Sequence, residues 1–214
     1  MEDEILKELW KAQDEKLEHS LKLNLFLIDT LQKDKARSKL DRLARFKMAA
    51  VFLGAVWCAL LALLIYGNNF KSIYFSVSVM IILLFNIYAC AVYIDQIRII
   101  KKLDYSASIL VTQKQLASLQ VSTINVTRIL LLQLPFYSTW FYTNELVLHD
   151  RHFQLVSFST TLLFTLAAVW LYKNISVKNM HKKWLRRFMN VGPEYKSITE
   201  ASDFLSQIET FRSV

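Results

Sequence analysis

The hydrophobic residues of this chain fall into four long runs without charged residues, separated by charged segments. About 20 helical residues cross a hydrocarbon core of about 30 Å. A buried helix of a soluble protein is the alternative for each run, but such helices rarely extend so far without a charge. The pattern therefore predicts four membrane spans, of which the third is the weakest because only Ile129–Asn144 precede Glu145. The spans are 48–66, 72–94, 129–148 and 153–172.

The segments around these runs also have a helical pattern. Residues 1–47 contain no Gly or Pro and predict one or two helices that lead directly into the first span. Residues 95–128 predict a helical hairpin, in which the second span extends to about Leu103 and a helix from about Tyr105 continues into the third span. The predicted organisation is an N-terminal segment 1–47, a membrane domain 48–172 that includes the hairpin, and a C-terminal segment 173–214.

Lys and Arg are distributed unevenly along the chain. The segments 1–47, 95–128 and 173–214 carry 24 of them, whereas the loops 67–71 and 145–152 carry two. The positive-inside rule then places both termini and the hairpin in the cytoplasm. Basic residues cluster at the span ends, which favours contact with an anionic inner leaflet over binding of nucleic acid. The residues predicted to contact lipid headgroups are Arg42, Arg45, Lys47, Lys182, Lys183, Arg186 and Arg187.

The N-terminal segment has apolar positions along an acidic helix, with nine acidic and five basic residues in 1–34. Leucines and isoleucines from Leu17 to Leu31 follow the a–d spacing of a coiled coil, and a polar Asn at an a position can fix its register. Two interpretations stay open: a homotypic coiled coil, and packing on another cytoplasmic helix of the same chain. The residues predicted to bind a partner are Leu9, Trp10, Leu17, Leu21, Asn24 and Ile28.

The C-terminal segment predicts two helices separated by Gly192 and Pro193. The first is basic and amphipathic, and either lies at the level of the headgroups or extends the fourth span. The second begins with a capping box in which Ser197 is the N-cap and Glu200 the third helical residue. A helix of about 15 residues is marginal alone in water, so we expect it to pack on the N-terminal helix or the hairpin. Its apolar face consists of Ala201, Phe204, Leu205, Ile208 and Phe211.

Composition narrows the fold by exclusion. Three Gly and two Pro cannot supply the turns that a β-rich fold needs. Two Cys, Cys58 and Cys90, exclude a disulfide scaffold and a zinc ribbon and are expected to be packing residues. The predicted fold is all-α: an integral membrane four-helix bundle with cytoplasmic helical extensions.

Few side chains have the spacing of a catalytic, cofactor-binding or metal-binding motif. The sequence has no glycine-rich phosphate loop and no hydrolase or metalloprotease motif, so we expect neither enzyme activity nor a cofactor. Glu145, His149 and His152, in the second outer loop, are weak candidates for metal ligands; a solvated interfacial loop is the alternative.

A few polar residues lie within the apolar runs. A small transporter or channel could use Asn86, Gln133 and the hydroxyls of the fourth span, such as Thr161, as a polar path. Such groups more commonly form hydrogen bonds between helices. The transport hypothesis therefore stands as the alternative to a protein that binds partners.

Three segments, Leu6–Gln13, Arg128–Phe141 and Ser197–Phe211, resemble a family of small four-pass bacterial inner-membrane proteins. The resemblance implies an inner-membrane location and no catalytic activity. Some such proteins look like membrane-anchored regulators, such as anti-sigma-like proteins, in which a cytoplasmic helix binds a partner. This chain lacks the His and Cys pattern of their zinc-containing class. We expect a non-enzymatic membrane protein whose cytoplasmic helices bind a cytoplasmic protein or form a homo-oligomer.

Overall fold

The computed structural model describes residues 2–68, 71–105, 109–140, 142 and 151–212. These residues form helices and turns and no strand, which confirms the all-α prediction. Two short 3-10 turns, Leu131–Gln133 and Val177–Asn179, connect longer elements. The α-helices are α1 Glu2–Asn68, α2 Ile73–Lys101, α3 Ile109–Leu130, α4 Leu134–Ser138, α5 Arg151–Asn174, α6 Lys183–Val191 and α7 Pro193–Arg212.

Helix α1 is a single element of 67 residues that joins the charged N-terminal segment to the first apolar run. At 1.5 Å per residue it is about 100 Å long. Its first glycine is Gly54, and it contains no proline, so no residue in the charged half interrupts the backbone hydrogen bonds. The expectation that residues 1–47 are helical and lead directly into the first apolar run is confirmed from Glu2 onwards.

Among the residues that the structure describes, three helices are long and apolar enough to cross a membrane: Leu6–Asn68, Ile73–Lys101 and Arg151–Asn174. Their apolar side chains face outwards, including Phe52, Leu84 and Leu163, which are each more than 60% exposed. Apolar surfaces of this kind are unfavourable in water and suit the hydrocarbon core of a bilayer. A helix is stable there because it satisfies its own backbone polar groups. The three helices match the first, second and fourth predicted spans.

The third predicted span, 129–148, is not one continuous helix in the described part of the chain. Helix α3 ends at Leu130, a 3-10 turn follows, and α4 ends at Ser138. Pro135 lies in the first turn of α4, where its missing amide hydrogen is tolerated and the preceding helix is interrupted. Residues 141 and 143–150 lie outside the described residues, so a four-span bundle stays a prediction.

A buried hydrophobic core lies beyond the apolar spans, where α1, α2, α3 and α7 meet. Leu40 and Leu43 of α1 pack with Leu116 of α3 and Leu205 of α7, and all four are nearly inaccessible. The last helix therefore packs on the N-terminal helix and on the hairpin helix α3. The remaining buried members of this cluster are Ala36, Ala44, Ile100, Leu103, Leu119, Ile198, Ala201 and Ile208.

The predicted capping box at the start of the last helix is wrong. Helix α7 begins at Pro193, four residues earlier, so Ser197 lies within the helix. The hydroxyl of Thr199 donates to the carbonyl of Tyr195, as expected inside a helix. Proline is favoured at the first helical position because its fixed φ suits the helix and its missing N–H needs no partner there. The break at Gly192 and Pro193 is confirmed.

Helices α1 and α2 pack closely at Gly54. A Cβ added there would lie 2.7 Å from the sulfur of Cys90, whereas one added at Gly67 would meet no atom within 4 Å. We expect Gly54→Leu to lower the free energy of unfolding by about 1–3 kcal/mol, because overpacking displaces both helices. Gly67→Leu is the matched control and should change it little. Thermal unfolding in detergent measures both variants, and equal effects would contradict this packing.

Candidate functional site

The beginning of α1 exposes apolar side chains outside the predicted spans. All side chains from residue 6 to residue 27 are exposed, and the apolar ones are no exception. Trp10 is 64% exposed, Leu17 60% and Leu21 54%. We call residues 6–27 the N-terminal arm. It is a helical rod about 33 Å long that carries apolar side chains outside any core.

The arm is exposed because it extends past the helix that covers the rest of the charged half of α1. Helix α7 runs antiparallel to α1: Lys39 forms an ion pair with Glu200 at 2.7 Å, and Gln32 donates to Gln207 at 2.8 Å. Continuing this register, the last residue of α7, Arg212, lies near the boundary of the arm. The arm therefore begins where the four-helix packing ends.

The predicted partner-binding residues lie on this arm or at its base. Leu9, Trp10, Leu17, Leu21 and Asn24 are exposed, and Ile28 is half-buried. The five exposed residues do not pack on another described helix of the same chain. Homotypic coiled-coil formation stays a prediction.

A buried ionic cluster lies at the junction between the apolar halves of α1 and α2 and the start of α7. The ammonium of Lys47 contacts Oε2 of Glu194 at 2.5 Å and lies 4.2 Å from the centre of the Tyr93 ring. The hydroxyl of Tyr93 donates to Oε1 of Glu194 at 2.9 Å. These contacts connect α1, α2 and the first turn of α7 through one carboxylate.

Burial determines the pKa of Lys47 and its need for a counter-ion. The side chain of Lys47 is 0% exposed, and this desolvation lowers its pKa below the ordinary value of 10.5, while Glu194 acts in the opposite direction. The carboxylate of Glu194 and the ring of Tyr93 both stabilise the charged ammonium. The cluster therefore holds a charge that would be costly without its partners.

The predicted headgroup residues divide into two groups. Lys47 differs from the rest, because its ammonium is buried inside the protein and pairs with Glu194. Lys182 is half-buried, with Nζ 3.5 Å from the side-chain oxygen of Asn174. The other members are exposed on α1 and α6: Arg42, Arg45, Lys183, Arg186 and Arg187.

Glu194 and Tyr93 were missed as members of this site. Proline followed by glutamate is a typical start of a helix, since the negative charge is favourable in the first turn. That signal could have placed Glu194 at the membrane end of α7. It could not have identified Lys47 as the partner, because 147 residues separate the two in the sequence.

The polar residues Asn86, Gln133 and Thr161 of the apolar layer form hydrogen bonds to other side chains, and Asn86 also to the backbone. The amide of Asn86 donates to Gln133 at 3.4 Å and to the carbonyl of Ile82 at 2.8 Å. The hydroxyl of Thr161 lies 2.9 Å from Ser138 and 2.7 Å from Tyr142. These contacts join α2 to the 3-10 turn before α4, and α4 to α5, and they suit a structural role. Transport through this region stays a prediction.

The metal-ligand candidates fall largely outside the described residues, where Glu145 and His149 lie. His152 is in the first turn of α5. Within the described ranges no three His, Cys, Asp or Glu side chains are grouped to hold a metal ion. Cys58 and Cys90 are half-buried free thiols between α1 and α2.

Comparisons of the whole chain were made with protein-family models, with curated proteins and with solved structures. None of the three found a match, so the function has to be inferred from the geometry described above.

Proposed function

We propose that this chain is a non-enzymatic, membrane-anchored interaction protein of the bacterial inner membrane, with both termini in the cytoplasm. Its N-terminal arm binds a helix of a cytoplasmic protein or the same arm of a second copy. The observation that carries this proposal is the exposure of apolar side chains over residues 6–27, beyond the end of α7.

The arm is suited to helix–helix association. Trp10, Leu17 and Leu21 follow one another at spacings of seven and four residues, so they lie on one side of the helix. An amphipathic helix that presents anchors at such spacings binds in a groove or pairs as a coiled coil. Large aromatic and aliphatic anchors contribute most of the binding energy in such contacts.

The anchor and the arm are parts of one helix. Because α1 continues without a break to Asn68, the arm is held at a fixed direction relative to the apolar half. The cationic residues that flank the spans support the cytoplasmic orientation through the positive-inside rule. A partner bound to the arm would thereby be held at the inner surface of the membrane.

The test compares two triple variants of the full chain, purified in mild detergent. The first carries Trp10→Gln, Leu17→Gln and Leu21→Gln. The control carries Glu8→Gln, Glu15→Gln and Lys22→Gln, which place the same residue type on the opposite side of the arm. Light scattering measures the mass of the complex, and mass spectrometry identifies any protein that co-purifies.

We expect the native chain and the control to retain the same associated protein or the same oligomeric mass. The apolar-face variant should lose it, with about a tenfold or greater fall in affinity, because each buried anchor typically contributes more than 1 kcal/mol. Retention of every associated protein and of the oligomeric mass by the apolar-face variant would contradict the proposal.

A further inference from the structure

A basic cavity of about 400 Å³ lies between α1 and the start of α7, at the membrane end of the cytoplasmic helices. The segment from Asn190 to Gly192 closes one side of it. It is separate from the N-terminal arm and from the buried cluster at Lys47. Its charged lining residues are Lys39, Arg42, Lys196 and Glu200.

The lining changes from apolar to charged along the helices. Because α1 runs towards the membrane and α7 runs away from it, Phe46 and Pro193 lie at the membrane end of the cavity. Val191, which is 83% exposed, lies beside them. Arg42 and Lys196 lie further into the cytoplasm. The cavity thus has an apolar end next to the spans and a cationic end beyond it.

The charges at the cationic end do not cancel. Glu200 accepts Lys39 at 2.7 Å and lies 3.9 Å from Lys196. Arg42 forms no ion pair with any described residue. Three cations therefore share one carboxylate, and a guanidinium, whose planar donors fit phosphate oxygens, remains available.

We propose that this cavity binds the phosphate of one anionic phospholipid from the inner leaflet. Arg42 and Lys196 contact the phosphate oxygens, and the acyl chains leave over Phe46 and Val191 towards the spans. The charge asymmetry accounts for the anion, and the apolar membrane end favours a lipid over free phosphate. The site is a defined pocket and goes beyond the general attraction of basic residues to an anionic surface.

Native mass spectrometry of the full chain from detergent tests this site, with phosphatidylglycerol as the anionic probe and phosphatidylcholine as the neutral one. The pocket variant is Arg42→Gln with Lys196→Gln. The control is Arg45→Gln with Arg187→Gln, which removes two exposed cations outside the cavity. All four side chains are exposed, so thermal unfolding should confirm that each variant is folded.

We expect one phosphatidylglycerol to be retained in preference to phosphatidylcholine, with the pocket variant losing about tenfold or more in affinity and the control losing little. Val191→Asp should also weaken retention, because it places a charge where the acyl chains leave. Equal losses in both double variants would show diffuse surface attraction and overturn the proposal. Displacement of the lipid by excess inorganic phosphate would assign the site to free phosphate and would also overturn it.

Discussion

Replacement of Glu194 with alanine is expected to lower the free energy of unfolding by about 3–5 kcal/mol. The change leaves the ammonium of Lys47 buried beside the Tyr93 ring, with its side chain 0% exposed and its counter-ion removed. It also removes the acceptor of the Tyr93 hydroxyl. A buried charge without its counter-ion is among the few single changes that produce losses of this size.

Removing both charges should restore most of this loss. In Lys47→Met with Glu194→Gln, the apolar side chain fills the space of the lysine, and the amide oxygen of glutamine still accepts from Tyr93. Replacing a buried ion pair with groups that need no ionic partner is often close to neutral. Chemical denaturation of Lys47→Met, Glu194→Gln and the double variant in detergent gives the coupling free energy. Additive losses in the double variant would show that the two side chains do not interact.

The pH dependence of the Glu194→Ala variant gives a second readout. Burial lowers the pKa of Lys47 in the folded protein, so the unfolded chain binds more protons between that pKa and 10.5. The contribution of Lys47 to stability therefore rises with pH across this range. The rise should be steeper in Glu194→Ala, where no carboxylate opposes the lowering of the pKa, and absent in Lys47→Met. A stability of Glu194→Ala that does not change with pH in this range would indicate that Lys47 is solvated in the folded protein.

The apolar spans and the helical class were predictable because they depend on local composition. A run such as 72–94 contains no charge, and its preference for hydrocarbon is a sum over its residues. The continuous α1 likewise follows from the absence of Gly and Pro before Gly54. The interruption after Leu130 shows the limit of this approach. Pro135 changes the backbone hydrogen bonding over several residues, and hydropathy takes no account of that.

The sites at the junction were less predictable because they depend on the register between distant helices. Lys47 was assigned to the lipid surface from its neighbours in the sequence, but its direction is decided by the packing of α7. The start of α7 at Pro193 determines which of its residues meet α1. The cavity that contains Arg42 and Lys196 arises from the same register, so the sequence indicated its charges without indicating that they converge.

Truncation of Leu40 should lower the stability of the chain strongly, whereas truncation of Leu21 should hardly change it, although both leucines lie on α1. Leu40 is 0% exposed in the core with Leu116 and Leu205, and Leu40→Ala should lower the free energy of unfolding by about 2–5 kcal/mol. Leu21 is 54% exposed on the arm, and Leu21→Ala should change it by less than about 0.5 kcal/mol.

The same pair of variants separates the packing role of α1 from the binding role that we propose for its arm. Denaturation in detergent, with the associated partner removed, measures the stability of the chain alone, and Leu40→Ala should be the only variant with a large effect. When the partner or second copy is present, Leu21→Ala should lose stability relative to the native complex, because binding to the folded state adds to its apparent stability. A large loss for Leu21→Ala in the isolated chain would mean that the arm is already packed, and would contradict its role as a free binding surface.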